Sequence, residues 1–261
     1  MLGEELIGLH KNPRLVPPFT ERYPELTAEA GYAAAQRLHE HRLAQGWRSV
    51  GRKIGFTNRN IWPLYGVYQP IWGYVYDRTS IAAEDGTADV PLAGLLNPRI
   101  EPEICFGLKE SPRTPEPENL LQRIGWVAHA CEIVQCPHPD WKLKLADSTA
   151  NNGLHGRLVL GPPVAVESLP QLSAALRGVE ASLFKGDDLV ERGRGENVLG
   201  SPLLALGHLV SVLASGGFAP LSAGEIVTTG TLTDAHPVAP GDVWRTTIAG
   251  LPLQGLRLGF S

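Results

Sequence analysis

Glu101-Pro102-Glu103-Ile104-Cys105-Phe106 and Trp126-Val127-Ala128-His129-Ala130-Cys131-Glu132-Ile133-Val134 are short apolar runs with carboxylates set into them. Runs of this kind, rich in β-branched and aromatic residues and bounded by Gly, Pro, Asn or Asp, read as strands. The same texture holds from Val50 onward. Residues 225–233 alternate as a strand, Pro240-Gly241-Asp242 turns the chain into 243–248, and 251–260 reads as a closing strand. The first fifty residues read as helical: Thr27 is an N-cap, Glu29 sits at the positive helix end, and Ala28, Tyr32, Ala35 and Leu38 form one apolar stripe ended by Gly46. Arg37, Glu40 and Arg42 then form a solvated face, and His39-Glu40-His41 is a polar helix surface without zincin spacing. A further helix is expected over 203–213. The prediction is an α+β fold in one domain over 1–261, with a helical segment 1–50 and a strand-rich body 51–261.

Composition narrows the function classes. The 261 residues include 29 Gly and 22 Pro, which argues against a helical bundle, while 43% apolar and 19% charged residues are not low complexity. A net charge of -4 with no polybasic run makes nucleic acid and anionic membranes poor partners. The uncharged residues near 197–224 are interrupted by Pro202, His208, Gly216, Gly217 and Pro220, a poor membrane span. Cys105, Cys131 and Cys136 are odd in number and lack CxxC spacing, as expected of core thiols in a reducing compartment. With no secretory pattern at the start, a cytoplasmic protein is expected. Dinucleotide, Walker and serine-elbow motifs are missing.

The chemistry lies in the carboxylates. Positions i and i+2 of an extended chain project from one face, so Glu101 and Glu103 can converge. A glutamate within the apolar run around Glu132 is costly unless paired or bound to metal. Three carboxylates make a hard oxygen site suited to Mg²⁺ or Mn²⁺, with positions left for a chelating 2-oxo acid. From spacing alone the alternative stands open: Glu101 and Glu103 as exposed edge-strand charges, Glu132 at a strand end or paired with a lysine. Lys53, in Gly51-Arg52-Lys53-Ile54-Gly55-Phe56-Thr57, is either a desolvated general base of lowered pKa or a surface lysine. Asp140-Trp141-Lys142 and then Asp147-Ser148-Thr149-Ala150-Asn151-Asn152-Gly153-Leu154-His155-Gly156 read as a long loop able to close over a site.

Taken in order, these pieces resemble the 2-keto-4-pentenoate hydratase / 4-oxalocrotonate decarboxylase family of the fumarylacetoacetate hydrolase superfamily. Lys53-Ile54-Gly55-Phe56-Thr57, Tyr65-Gly66-Val67, Gln69-Pro70, Glu101-Pro102-Glu103-Ile104, Glu132-Ile133-Val134, Val159-Leu160-Gly161, Leu199-Gly200-Ser201-Pro202, Gly230-Thr231 and Gly241-Asp242 carry the likeness through nearly the whole chain. It implies a mixed β-roll or sandwich-like core with flanking helices, a homo-oligomer, and a divalent-metal enzyme of aromatic catabolism acting on small 2-oxo acids or dienoates. Glu101, Glu103 and Glu132 match the metal carboxylates and Lys53 the proton-transfer lysine. Asp147, Asn152 and His155 are further candidates for catalysis, and Ile71, Trp72, Lys142 and Thr231 for substrate binding.

Two departures stand out. Hydratases of this kind usually carry an aspartate after Gln69-Pro70, where this chain has Ile71. The family's Ala-Asp-Asn-Ala-Ser-Ser is here Ala150-Asn151-Asn152-Gly153-Leu154-His155. Three expectations follow: a hydratase in which His155 replaces the lost water-holding groups; a decarboxylase, C–C hydrolase or tautomerase; or a non-catalytic metal-binding partner of an active paralogue.

Overall fold

The computed structural model describes residues 2–59 and 62–261. Helices α1 (Leu2–Lys11), α2 (Phe19–Arg22) and α3 (Ala28–Ala44) open the chain. Strands β1 (Ser49–Gly55) and β2 (Ile71–Tyr76) flank α4 (Trp62–Tyr65), and β3 (Ser80–Ala82), β4 (Thr87–Val90) and β5 (Arg99–Leu108) follow. Next come α5 (Pro117–Arg123), β6 (Ile124–Val134), α6 (Leu145–Ala150), β7 (His155–Leu160) and β8 (Val164–Ala165). The last third holds α7 (Leu172–Gly178), β9 (Glu180–Lys185), β10 (Asp188–Arg194), α8 (Pro202–Ser215), β11 (Ile226–Thr231), β12 (His236–Pro237), β13 (Val243–Ala249) and β14 (Arg257–Phe260). Among the described residues one mixed sheet runs β2-β1-β11-β5-β6-β7-β3, with β12 added to β5 and β8 to β6, and a second runs β10-β9-β13-β14-β4. The mixed α+β core and helical N-terminal segment match the sequence prediction.

Strand β5 lies between β11 and β6 at the sheet centre, which rules out the edge-strand reading of Glu101 and Glu103. One face of the β5–β6 hairpin is used for packing. Ile104, Phe106 and Val127 meet Leu203, Leu206, Leu209 and Leu213 of α8 in one core, and Ile100, Cys131 and Ile133 join Leu183, Trp244, Leu258 and Phe260 of the second sheet in another. The carboxylates therefore occupy the opposite face. Gly195–Ser215 is apolar and long enough to cross a membrane by composition, but Leu203, Leu206, Leu209 and Leu213 within it are spent on this core. All three cysteines are buried free thiols, as expected.

Thr27 caps α3, its Oγ1 accepting the Ala30 N–H at 3.2 Å, and the helix stops just before Gly46, whose φ is +78°. The buried face of α3 differs from the predicted stripe: Arg42 and His39 are buried. His39 stacks on Tyr74 with ring centroids 3.6 Å apart, and the Arg42 guanidinium lies over Trp47 and Tyr76. Flat π-bearing side chains pack on aromatics despite their polarity, which simple apolar periodicity does not register. The predicted loop over 140–156 is instead a 3-10 turn, α6, a second 3-10 turn and the start of β7, largely buried. The closing strand is shorter than predicted, because only Arg257–Phe260 pairs while Leu251, Leu253 and Leu256 fill core positions.

Candidate active site

The hairpin register sets the carboxylate geometry. Glu101 stands directly opposite Glu132, and Glu103 is two residues along the same face of β5. One oxygen from each lies within 4.8 Å of the others. Glu103 and Glu132 are fully buried, and Glu101 is partly exposed at a cavity wall. The ladder between β11 and β5 shifts register between Thr228 and Thr231, and this bulge turns the Gly230 N–H onto Glu103 Oε2 at 2.8 Å. Only glycine suits the turn, since its φ is +94° and a Cβ would fall 1.9 Å from Thr57 Oγ1. Glu132 Oε1 faces His155 Nδ1 at 2.8 Å, and its Oε2 lies 3.3 Å from Lys53 Nζ, near enough for an ion pair but out of hydrogen-bond alignment. Glu103 Oε1 and Glu132 Oε2 are thus buried oxygens without hydrogen-bond partners.

The charges are strongly coupled. Burial raises the Glu101 pKa to about 7 against the pull of Lys53, with Glu132 adding to the rise. Burial, then Glu132 and Glu101, push Glu103 well above the carboxylate range. Burial pushes Glu132 up too, but Lys53 and His155 outweigh it and leave it below its ordinary value. Lys53 departs from the sequence expectation: burial works to lower its pKa, yet Glu132, Glu101 and Glu103 outweigh this and raise it. Burial lowers the His155 pKa, with Lys53 and Arg42 adding to it against Glu132.

A cavity of about 180 Å³ opens beside the carboxylates. Its polar wall includes Lys53, Thr57, Arg99, Glu101, Thr231 and Thr233, and its apolar wall Phe56, Ile71, Val134, Trp141 and Leu154. Thr57 Oγ1 is buried with no hydrogen-bond partner. Gly153, at φ +63°, lets the backbone come close to Lys53, whose Cδ would be 3.1 Å from a Cβ there. Sequence reasoning missed Arg99, although it lies two residues before Glu101 and so shares its face of β5. Its guanidinium sits 4.3 Å from the Trp141 ring centroid. Trp141 lies in the stretch read as a loop over the site without being singled out there; it reaches the cavity through consecutive left-handed residues, Asp140 at φ 55° and Trp141 at φ 56°.

Lys53, Glu101, Ile71 and Thr231 share this cavity, with Glu103 and Glu132 next to it. The other candidates lie apart. His155 is buried behind Glu132 with Nε2 2.8 Å from Thr79 Oγ1, so both ring nitrogens are engaged and neither is available to water in the cavity. Asp147 accepts from Thr20 N–H (3.0 Å), Thr20 Oγ1 (2.8 Å) and Lys144 N–H (2.8 Å). Asn152 brackets Tyr74, accepting its N–H at 2.8 Å and donating to its carbonyl at 2.9 Å. Trp72 stacks on Tyr32 with centroids 5.3 Å apart, on the far side of β2 from Ile71. The Lys142 side chain is 77% exposed and lines an outer groove with Asp140 and Lys144.

Residues 54–256 match the Fumarylacetoacetate (FAA) hydrolase C-terminal family. The chain is 33% identical over 252 residues to a 2-hydroxyhexa-2,4-dienoate hydratase of Comamonas testosteroni, covering 95% of this chain and 93% of that protein. It is 33% identical over 253 residues to a 2-keto-4-pentenoate hydratase of Paraburkholderia xenovorans, covering 95% and 90%. Among solved structures, 4-oxalocrotonate decarboxylase from Pseudomonas putida G7, complexed with magnesium and adipate, superposes with a TM-score of 0.90 at 28% identity, covering all of this chain and 96% of that one. The match spans the strands that carry the carboxylates as well as the sheets around them, and the chain belongs to the Fumarylacetoacetate (FAA) hydrolase C-terminal family.

Proposed function

We propose that the chain is a divalent-metal-dependent hydro-lyase that adds water to a 2-hydroxypenta-2,4-dienoate-like substrate, giving a 4-hydroxy-2-oxo acid in aromatic catabolism. The observation that carries this reading is the pair of buried oxygens that no hydrogen bond satisfies, Glu103 Oε1 and Glu132 Oε2, the second facing only the Lys53 ammonium, beside a cavity lined by Lys53 and Arg99. Lys53 offsets one of the three carboxylate charges, so the donor set fits a hard divalent cation, Mg²⁺ or Mn²⁺, held by Glu101, Glu103 and Glu132. When bound, such an ion supplies the electron sink for a chelating 2-oxo acid. Arg99 would pair with a substrate carboxylate, and Lys53 would carry the proton between the dienol oxygen and carbon during tautomerisation. Thr57, which lines the cavity and whose Oγ1 has no hydrogen-bond partner, would hold the water that adds at C4 while a proton goes to C3. Phe56, Ile71, Val134 and Leu154 pack along the hydrocarbon tail and exclude bulk water. A cytoplasmic homo-oligomer completes the reading.

The test is incubation of the purified protein with freshly generated 2-hydroxypenta-2,4-dienoate and Mg²⁺ or Mn²⁺, with and without a chelator. Metal-dependent loss of dienol absorbance with formation of the 4-hydroxy-2-oxo acid is expected, and ketonisation without hydration would sink the hydratase reading. A second reading, loss of CO₂ from a 2-oxo dicarboxylate, is favoured by the likeness to the decarboxylase and by Arg99, a cation available to a second carboxylate. Metal-dependent CO₂ release from such a substrate distinguishes it.

A further inference from the structure

Each of the two fully buried carboxylates has one oxygen in a hydrogen-bond contact and one without: Glu103 Oε1 has no hydrogen-bond partner, and Glu132 Oε2 faces only the Lys53 ammonium at 3.3 Å. For Glu103 the holding donor is the Gly230 N–H, and for Glu132 the corresponding contact is His155 Nδ1, at 2.8 Å in both cases. A backbone N–H is always a donor, but an imidazole nitrogen is one only in the right tautomer.

Thr79 supplies that selection. Its Oγ1 accepts the Tyr76 N–H at 3.2 Å and has one proton to give, to Tyr76 O at 3.0 Å or to His155 Nε2 at 2.8 Å. The Tyr76 carbonyl is separately served by Ser80 Oγ at 2.9 Å, which frees the Thr79 proton for the imidazole. An Nε2 that accepts leaves the proton of a neutral ring on Nδ1, directed at Glu132 Oε1. Thr79 and His155 are both 3% exposed, so no water competes for these bonds.

We infer that Thr79 and His155 form a positioning pair for Glu132: Thr79 fixes the Nδ1–H tautomer, and His155 pins Oε1 so that Oε2 is presented to a divalent cation. The pair's role rests on the divalent-metal reading of the site above. Groups that orient a metal ligand in this way are worth about 10- to 100-fold in metal affinity.

Mn²⁺ titration by calorimetry on wild type, Thr79→Val, Thr79→Ser, His155→Leu and His155→Asn tests the pair. Thr79→Val removes the hydroxyl at nearly constant volume and is expected to weaken Mn²⁺ binding about 10- to 100-fold, with Thr79→Ser restoring it. His155→Leu should weaken binding similarly, and His155→Asn, whose amide nitrogen replaces Nδ1–H, should recover most of it. In ¹⁵N spectra His155 should carry its proton on Nδ1 in wild type and lose that preference in Thr79→Val. Wild type that binds no Mn²⁺ overturns the metal reading itself. Wild-type binding with unchanged affinity in Thr79→Val, even with a lowered Tm, overturns the positioning pair alone, as does an Nε2–H tautomer in the wild type. If His155→Leu fails to fold, the two Thr79 variants and the spectra still decide.

Discussion

Replacing Glu103 by glutamine is expected to raise the Tm of the metal-stripped protein while weakening divalent-metal binding by roughly 100-fold or more, the scale of removing one partner from a buried charged site. Both effects arise from the same crowding. Burial, Glu132 and Glu101 all oppose the ionised form of Glu103, so a neutral amide of the same shape relieves the metal-free chain. Its carbonyl oxygen can still accept the Gly230 N–H, but its charge is gone. Differential scanning fluorimetry in chelator, beside Mn²⁺ calorimetry, reads the two effects separately, and a fall in the metal-free Tm would contradict the account.

The pH dependence has a matching sign. Glu101 and Glu103 bind protons more tightly folded than unfolded, so their contribution to metal-free stability is full below the ordinary glutamate value of 4.5 and is lost as pH rises through about 7 for Glu101 and through the raised value of Glu103. Glu132 runs the other way, its contribution present above 4.5 and lost as pH falls through its lowered value. With metal available the trend across the neutral range reverses, because the ion competes with the same protons.

Lys53→Met is expected to cut turnover by about 10²- to 10⁴-fold, the scale of a lost proton-transfer group, while Mn²⁺ binds at least as tightly as in wild type. Burial works against the Lys53 ammonium, and the three carboxylates hold it charged. In the metal-free protein it therefore occupies Glu132 Oε2, at 3.3 Å, and competes with any cation for that oxygen. Methionine keeps the length and apolar stem but ends that competition. The metal-free variant should lose about 3–5 kcal/mol, since the buried Glu103 and Glu132 and the adjoining Glu101 are left without their cation, and saturating Mn²⁺ should restore much of this. Wild-type kcat in the folded variant would remove Lys53 from the chemistry.

How much of this could be read from sequence varies by residue. The two-residue period of a strand puts Glu101 and Glu103 on one face, and it puts Arg99 there as well. That Glu132 faces Glu101 depends on the register of β5 and β6, which are joined through α5, and no local pattern encodes it. From its neighbours Lys53 reads equally as a desolvated or a surface lysine, and the carboxylates that reverse the pKa shift of its buried ammonium come from β5 and β6. His155 follows an Asn-Gly stretch that reads as loop, yet it begins β7, and its partner Thr79 lies 76 residues away with no motif to link them. Likeness to a known family singled out Glu101, Glu103 and Glu132 as candidate metal carboxylates where spacing alone left them undecided.

The three bonds that Asp147 makes to Thr20 and Lys144 have a consequence for how this protein would behave in a mutational screen. The two from Thr20 bolt α2 to α6, the one from Lys144 caps α6 itself, and α6 leads straight into Asn152, which grips β2, and Gly153, which abuts Lys53. Asp147→Ala should cut the yield of folded protein and leave kcat per folded molecule nearly unchanged. A screen scored on activity in crude extract would rank Asp147 beside Lys53, although its carboxylate bears a mechanical load outside the cavity.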